Sequence, residues 1–174
     1  MADSRILIVY YSRSGTTRKV AESLAAALKC DSEEIVEAKS RSGILGYLRS
    51  VIEARRRSPA AIALPTRDPS SYDLIVIGTP VWAWSLSSPV RAYMMANAAR
   101  LPAVAFFCTL GGAGSDRAFA QMQDLAGKPP RASFAVTAQD VASGAYAPRL
   151  AGFVRALGSS GSAAPTPKRA ASAA

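Results

Sequence analysis

The sequence has no histidine among its 174 residues. That absence removes Ser-His-Asp and Cys-His catalysis, His-ligated zinc, haem held by a proximal histidine, and any histidine pH switch. Cysteine is nearly as scarce. Cys30 and Cys108 form no CxxC, and they supply neither a four-cysteine metal site nor the framework of a disulfide-stapled secreted domain. Acidic residues thin out along the chain: residues 1–87 hold 12 Lys/Arg against 9 Asp/Glu, and residues 88–174 hold 9 against 3, for a net charge of +9. Such a charge invites a nucleic-acid partner. The densest basic cluster, however, is only Arg55-Arg56-Arg57, with no RNP pattern and no zinc-ligand spacing, so the reading is no nucleic acid. Long hydrophobic runs are missing too. The longest uncharged stretch, residues 74–90, is broken by Gly78, Pro80, Pro89 and three serines, short of the roughly 20 apolar residues of a spanning helix. The apolar run at 6–11 is too short for a signal h-region and ends in Ser12-Arg13. The expectation is a cytoplasmic protein with no membrane segment.

The chain does have enough apolar residues, 49%, to fill the core of one domain. Residues 5–11 (RILIVYY) form a continuous apolar and β-branched run, the mark of a strand buried on both faces. A hydroxyl-rich loop follows, then a helix with Val20, Leu24, Ala27 and Leu28 on one stripe. Residues 33–38 (EEIVEA) read as a second strand. Residues 44–57 form a basic amphipathic segment with Ile44, Leu45, Leu48, Val51 and Ile52 on one side, and Pro59, Pro65 and Pro69 mark a long connection. The pattern then repeats: a strand at 73–78, the loop TPVWAWSLSS and a helix from Pro89; a strand at 102–109, the loop LGGAGS and a helix; a strand at 131–138 and a helix at 147–157. Residues 159–174 are low-complexity Ser/Ala/Pro and are expected to be a disordered tail. Strands alternating with helices imply a single doubly wound α/β domain over residues 1–158, with five parallel strands joined by right-handed crossovers. Ligands of such sheets bind outside the carboxyl ends of the strands at the topological switch point, so three loops carry the argument.

The first loop, Ser12-Arg13-Ser14-Gly15-Thr16-Thr17, joins a strand to a helix. Backbone N–H groups and the helix dipole make an anion site there, and the hydroxyls add donors around a glycine that lets the backbone approach closely. The alternative is that Ser14 or Thr16 is only an N-cap. It is neither a GxxxxGK[ST] loop nor a GxGxxG fingerprint. The second loop, Thr79 to Ser85, places Trp82 and Trp84 at the end of a buried strand, suited to stacking on a flat aromatic ring, unless one indole covers the core edge. The third, Thr109-Leu110-Gly111-Gly112-Ala113-Gly114-Ser115, has three glycines in four residues. It is either a backbone surface for the polar edge of a ring or a flexible turn. Cys108 before this loop does not make a tyrosine phosphatase, because Gly114 stands where CxxxxxR needs arginine.

Together the three loops resemble the flavodoxin family. Ser12, Ser14, Gly15 and Thr17 meet its phosphate signature [T/S]-x-[T/S]-G-x-T; DLIVIGTPVWAWSLSSPVRAYM resembles its third strand, flavin-contacting loop and following helix; FFCTLGGAG resembles its fourth strand and second flavin loop. The likeness covers residues 5–157 and implies strand order 2-1-3-4-5. It also implies one non-covalent FMN, its phosphate on Ser12, Arg13, Ser14, Gly15, Thr16 and Thr17, and its ring between Pro80, Val81, Trp82, Ala83 and Trp84 on one side and Thr109, Leu110, Gly111, Gly112 and Gly114 on the other. The flavin would carry the electrons and the protein would tune it, with no residue assigned as acid or base. Tyr11, Tyr93 and Asp116 are the polar neighbours considered. The absence of an insertion in 131–138 makes the resemblance one to short-chain members.

The implied function is an FMN-dependent redox protein mediating electron transfer. Its partner would be a redox protein, acidic because carriers of the family are typically acidic and this chain is basic. An alternative is an NAD(P)H-dependent reductase of FMN or a quinone-like acceptor, with Arg13, Arg18, Lys19 and Arg91 either attracting the nicotinamide phosphates or simply forming solvated helix faces. A further alternative is a flavin-free module that uses the same anion site for a phosphorylated ligand or a partner. A monomer and a homodimer both fit.

Overall fold

The structure, a computed structural model, describes residues 5–38, 52 and 59–159. The amphipathic segment at 44–57, apart from residue 52, and the tail at 160–174 lie outside the described residues. The chain runs β1 (Ile6–Tyr10), α1 (Thr16–Leu28), β2 (Asp31–Glu34), β3 (Leu74–Trp82), β4 (Ser85–Leu86), α2 (Ser88–Asn97), β5 (Ala103–Leu110), α3 (Ser115–Ala126), β6 (Ser133–Thr137), α4 (Ala138–Ser143) and α5 (Ala147–Ser159). Five strands pair in parallel in the order β2-β1-β3-β5-β6, and β4 folds back antiparallel on β3. With that hairpin strand set aside, the order is the 2-1-3-4-5 that the family resemblance implies.

The alternation of side chains along each strand divides the interior into two cores. Leu7, Val9, Ile75, Ile77, Val104 and Phe106 face Val90, Tyr93 and Met94 of α2 and Met122 and Ala126 of α3. Ile8, Tyr10, Leu74, Val76, Ala105 and Phe107 face Val20, Ala21 and Leu24 of α1 and Phe153 and Leu157 of α5. Both faces of the three central strands are covered, so RILIVYY and its counterparts carry no polar alternation. Each fully buried Leu, Ile or Val contributes about 1.5–3 kcal/mol.

Three expectations are corrected. The second strand is residues 31–34 (DSEE), pairing Leu7↔Asp31 through Tyr10↔Glu34, rather than 33–38. As an edge strand it meets water, so polar residues suffice there, and Glu37 instead bridges antiparallel to Ile62. The buried stripe of α1 runs through Ala21 rather than Ala27. The loop TPVWAWSLSS is for the most part strand: β3 continues to Trp82 and turns through Ala83 and Trp84 into β4. The short helix α4 carries a capping box, Thr137 Oγ1 accepting from Asp140 N at 3.0 Å and the Asp140 carboxylate accepting from Thr137 N. No helix among the described residues is long and apolar enough to cross a membrane.

Candidate functional site

Strand order reverses at β1, with β2 on one side and β3 on the other, and the loops after β1, β3 and β5 converge at the carboxyl ends of those strands. A cleft opens there, lined by Arg13, Ser14, Thr16, Thr17, Pro80, Val81, Trp82, Thr109, Leu110, Gly111 and Ala138. Ten of the sixteen residues singled out in the sequence therefore stand on one surface. Ala138, the first residue of α4, joins them unanticipated; its T-x-x-D cap was the available signal.

At the head of α1, Gly15 takes φ 89°, the left-handed conformation that lets the loop turn into the helix. The capping alternative for Ser14 and Thr16 does not describe this terminus. Neither bonds a backbone amide, and their hydroxyls lie 3.4 Å from each other. Ser12 Oγ accepts from Gly15 N and Arg18 N, both at 3.1 Å, and so shapes the loop from behind. The N-cap residue supplies no side-chain bond and no carboxylate stands in the first turn, so the positive end of the helix faces the cleft unneutralised. At the cleft floor Thr17 Oγ1 and Thr109 Oγ1 lie 2.8 Å apart, joining the first loop to β5.

The other wall is the β3–β4 hairpin. Ala83 (φ 47°) and Trp84 (φ 59°) are both left-handed, the geometry of a two-residue hairpin turn that Asn-Gly normally occupies. The two indoles part company. Trp82 is half-buried, lines the cleft and meets Tyr11 edge-on, centroids 5.6 Å apart at 87°. Trp84 stands at the tip, 58% exposed, outside the cleft lining. Gly114 packs against this tip: a Cβ on it would come within 2.8 Å of Trp84 Cα and 3.1 Å of Val81 Cγ1. The close approach expected of the glycine loop thus belongs to Gly114, inside the protein. Gly111 and Gly112 have open space around them.

The polar neighbours separate as well. Tyr11 is buried and donates to Glu37 Oε2 at 2.9 Å. Tyr93 lies wholly in the α2 core, its hydroxyl without a hydrogen-bond partner among the described residues and its phenol pushed well above the usual range by burial, so it is no part of this site. Asp116 sits exposed in the first turn of α3. Burial pushes the Cys108 thiol up to about 12, which leaves it a packing group. Of the four basic residues weighed for a nicotinamide phosphate, Arg18 is held by Glu34 at 2.8 Å, and Lys19 donates to the Val141 carbonyl at 3.2 Å. Arg91 is 6% exposed, which excludes a solvated face, and Arg13 alone lines the cleft.

A helix terminus whose N-cap gives no side-chain bond, with the Ser14 and Thr16 hydroxyls beside an apolar indole wall and no carboxylate among the described lining residues, fits a ligand that is anionic at one end and flat and aromatic at the other. The family model described as flavodoxin matches residues 5–135. A flavoprotein of Lactobacillus acidophilus NCFM, crystallised in complex with FMN, superposes with a TM-score of 0.67 at 24% identity, over 76% of this chain and 93% of that one. The apo-form of the flavoprotein from the same organism, solved by NMR, gives 0.58 at 26% identity over 78% and 93%. Two-electron reduced Megasphaera elsdenii flavodoxin gives 0.50 at 22% identity over 75% and 85%. A search of curated proteins finds no match.

Proposed function

The chain belongs to the flavodoxin family, and from that premise we propose that it is an FMN-binding redox protein that mediates electron transfer. The observation that carries the reading is the pairing, in one cleft at the switch point, of the α1 N-terminus, whose glycine N-cap gives no side-chain bond, with the Trp82 wall. The amides at the start of α1 and the hydroxyls of Ser14 and Thr16 hold the phosphate, aided by Arg13. Thr17 and Thr109 fix the floor, and Trp82, Val81, Pro80, Leu110 and Gly111 bound the ring. FMN, when bound, supplies one- and two-electron chemistry. The protein's share is to orient the ring, shield its apolar face from water, and leave an edge open to a redox partner protein, acidic in view of the net charge of +9.

The test is the absorption spectrum of the purified protein after FMN is added and excess removed. Flavin bands at one FMN per chain are expected, with affinity lowered in Ser14→Ala and in Thr16→Ala. A colourless protein that binds inorganic phosphate at the same loop would replace this reading with a phosphate-ligand module.

A further inference from the structure

Beneath the β3–β4 hairpin lies a buried polar cluster that the cleft itself does not use. Ser85, 4% exposed, is the register partner of Trp82 on the return strand, and its Oγ donates to Gln121 Oε1 of α3 at 2.7 Å. The Arg91 guanidinium of α2 donates through one Nη2 to both, at 3.1 Å to Ser85 Oγ and by a short bond to Gln121 Oε1. At the root of the same hairpin, Thr79 Oγ1 accepts from Ser87 N at 3.0 Å. Gln121 stands seven positions after Gly114, two turns along α3 on the same stripe, and Gly114 is the residue whose backbone presses on Trp84 Cα.

Arg91 therefore ties three pieces together: the strand opposite Trp82, the helix that begins at the glycine loop, and its own helix α2. The two walls of the ring slot meet at Gly114–Trp84 at their tips and at Ser85–Gln121 at their base, and the base is held by hydrogen bonds. The tip's two left-handed non-glycine residues do not favour this turn on their own, so contacts elsewhere must hold it. A guanidinium suits the task because it is planar, always charged, and presents several donors in fixed directions.

We propose that Arg91 is a positioning residue that sets the width of the ring slot through Ser85 and Gln121, and so tunes the affinity and potential of the bound flavin without touching the phosphate loop. The inference rests on the FMN reading above. It predicts that Arg91→Met weakens FMN and riboflavin by the same factor, about tenfold for the loss of charged hydrogen bonds. The FMN-to-riboflavin affinity ratio, which reports the phosphate loop, stays at the wild-type value, while the midpoint potential of the bound flavin shifts. Arg91→Lys restores part of both. Gln121→Met, at a half-buried position that does not threaten folding, shifts potential and affinity in the same direction by less, and decides the matter should Arg91→Met fail to fold. If the variants unfold more easily yet keep wild-type flavin affinity and potential, Arg91 is only structural and the proposal is overturned. A changed FMN-to-riboflavin ratio overturns it as well, by placing the effect at the phosphate. Wild-type protein that binds no flavin overturns the FMN reading itself.

Discussion

Three glycines in and after the third loop separate backbone strain from steric crowding. Gly112 has no positive φ and open space at its missing Cβ; Gly127, the C-cap of α3, has φ 65° and open space; Gly114 has φ 107° and would set a Cβ 2.8 Å from Trp84 Cα and 2.9 Å from Trp84 Cδ1. Alanine at 112 costs about 0.5 kcal/mol or less, as for most surface changes. Alanine at 127 costs about 1–2 kcal/mol for the left-handed conformation alone. At 114 the same strain is joined by overpacking of about 1–3 kcal/mol, because the Trp84 obstacle is backbone and cannot rotate away. The expected ranking is Gly114→Ala worst by about 2–5 kcal/mol, Gly127→Ala intermediate, Gly112→Ala near wild type. With a urea slope of about 2 kcal/mol/M, the Gly114→Ala midpoint falls by about 1–2.5 M. Urea unfolding followed by far-ultraviolet circular dichroism reads all three. Gly114→Ala should also lose flavin affinity, since relief of the clash moves the hairpin tip, whereas Gly127→Ala should not. If Gly114→Ala is no less stable than Gly127→Ala, the hairpin is not packed on Gly114 and the account of the slot's two walls fails.

The two tryptophans should differ. Trp82→Ala lowers FMN affinity by about tenfold or more through loss of a stacking wall, while Trp84→Ala changes it by no more than about threefold, and fluorescence titration that ranks them in reverse would refute the assignment of Trp82 to the cleft. Tyr93→Phe removes a buried hydroxyl that has no partner among the described residues, so stability should hold or rise by up to about 1 kcal/mol; a clear loss in thermal unfolding would show that the hydroxyl is satisfied. Burial, seconded by Asp116, pushes the Cys108 thiol up to about 12, and burial with Asp31 pushes Cys30 up to about 11. The folded state therefore keeps these protons longer than the unfolded chain. Their contribution to stability is complete below the ordinary thiol value near 9 and is lost as pH rises from there towards 11 and 12. The unfolding free energy across that range should fall more steeply with pH for the wild type than for Cys108→Ala, and equal slopes would refute it.

Much of the site is legible in one dimension because it is local. The first loop is six consecutive residues between a strand and a helix, and helix geometry alone turns the amides of its first turn outward. The central strands are legible because burial on both faces leaves them no polar alternation. The edge strand β2 escaped for the opposite reason: exposed on one side, DSEE carries no apolar mark, and its place is set by pairing with β1. The hairpin escaped because its turn is Ala-Trp. Nothing in that pair favours two left-handed residues, and the conformation is imposed by Gly114 and by the Ser85–Gln121 bond, 30 and 36 positions away. Arg91 in sequence is one basic residue on a helix, and only folding reveals that its guanidinium is buried.

What the sequence determined by itself is the alternation of buried strands and helices, hence a doubly wound sheet, and loops suited to a ligand anionic at one end and flat at the other; the strand order that places the switch point followed from the resemblance to the flavodoxin family. Periodicity, composition and short spacings suffice for the elements and the loops because each of these is local in the chain. The tertiary structure decided which tryptophan faces the cleft, which glycine is held close, that Tyr93 lies in the core, and that a buried arginine bonds Ser85 and Gln121. Those answers depend on side chains that meet across tens of residues, and only the packed fold brings them within reach of one another.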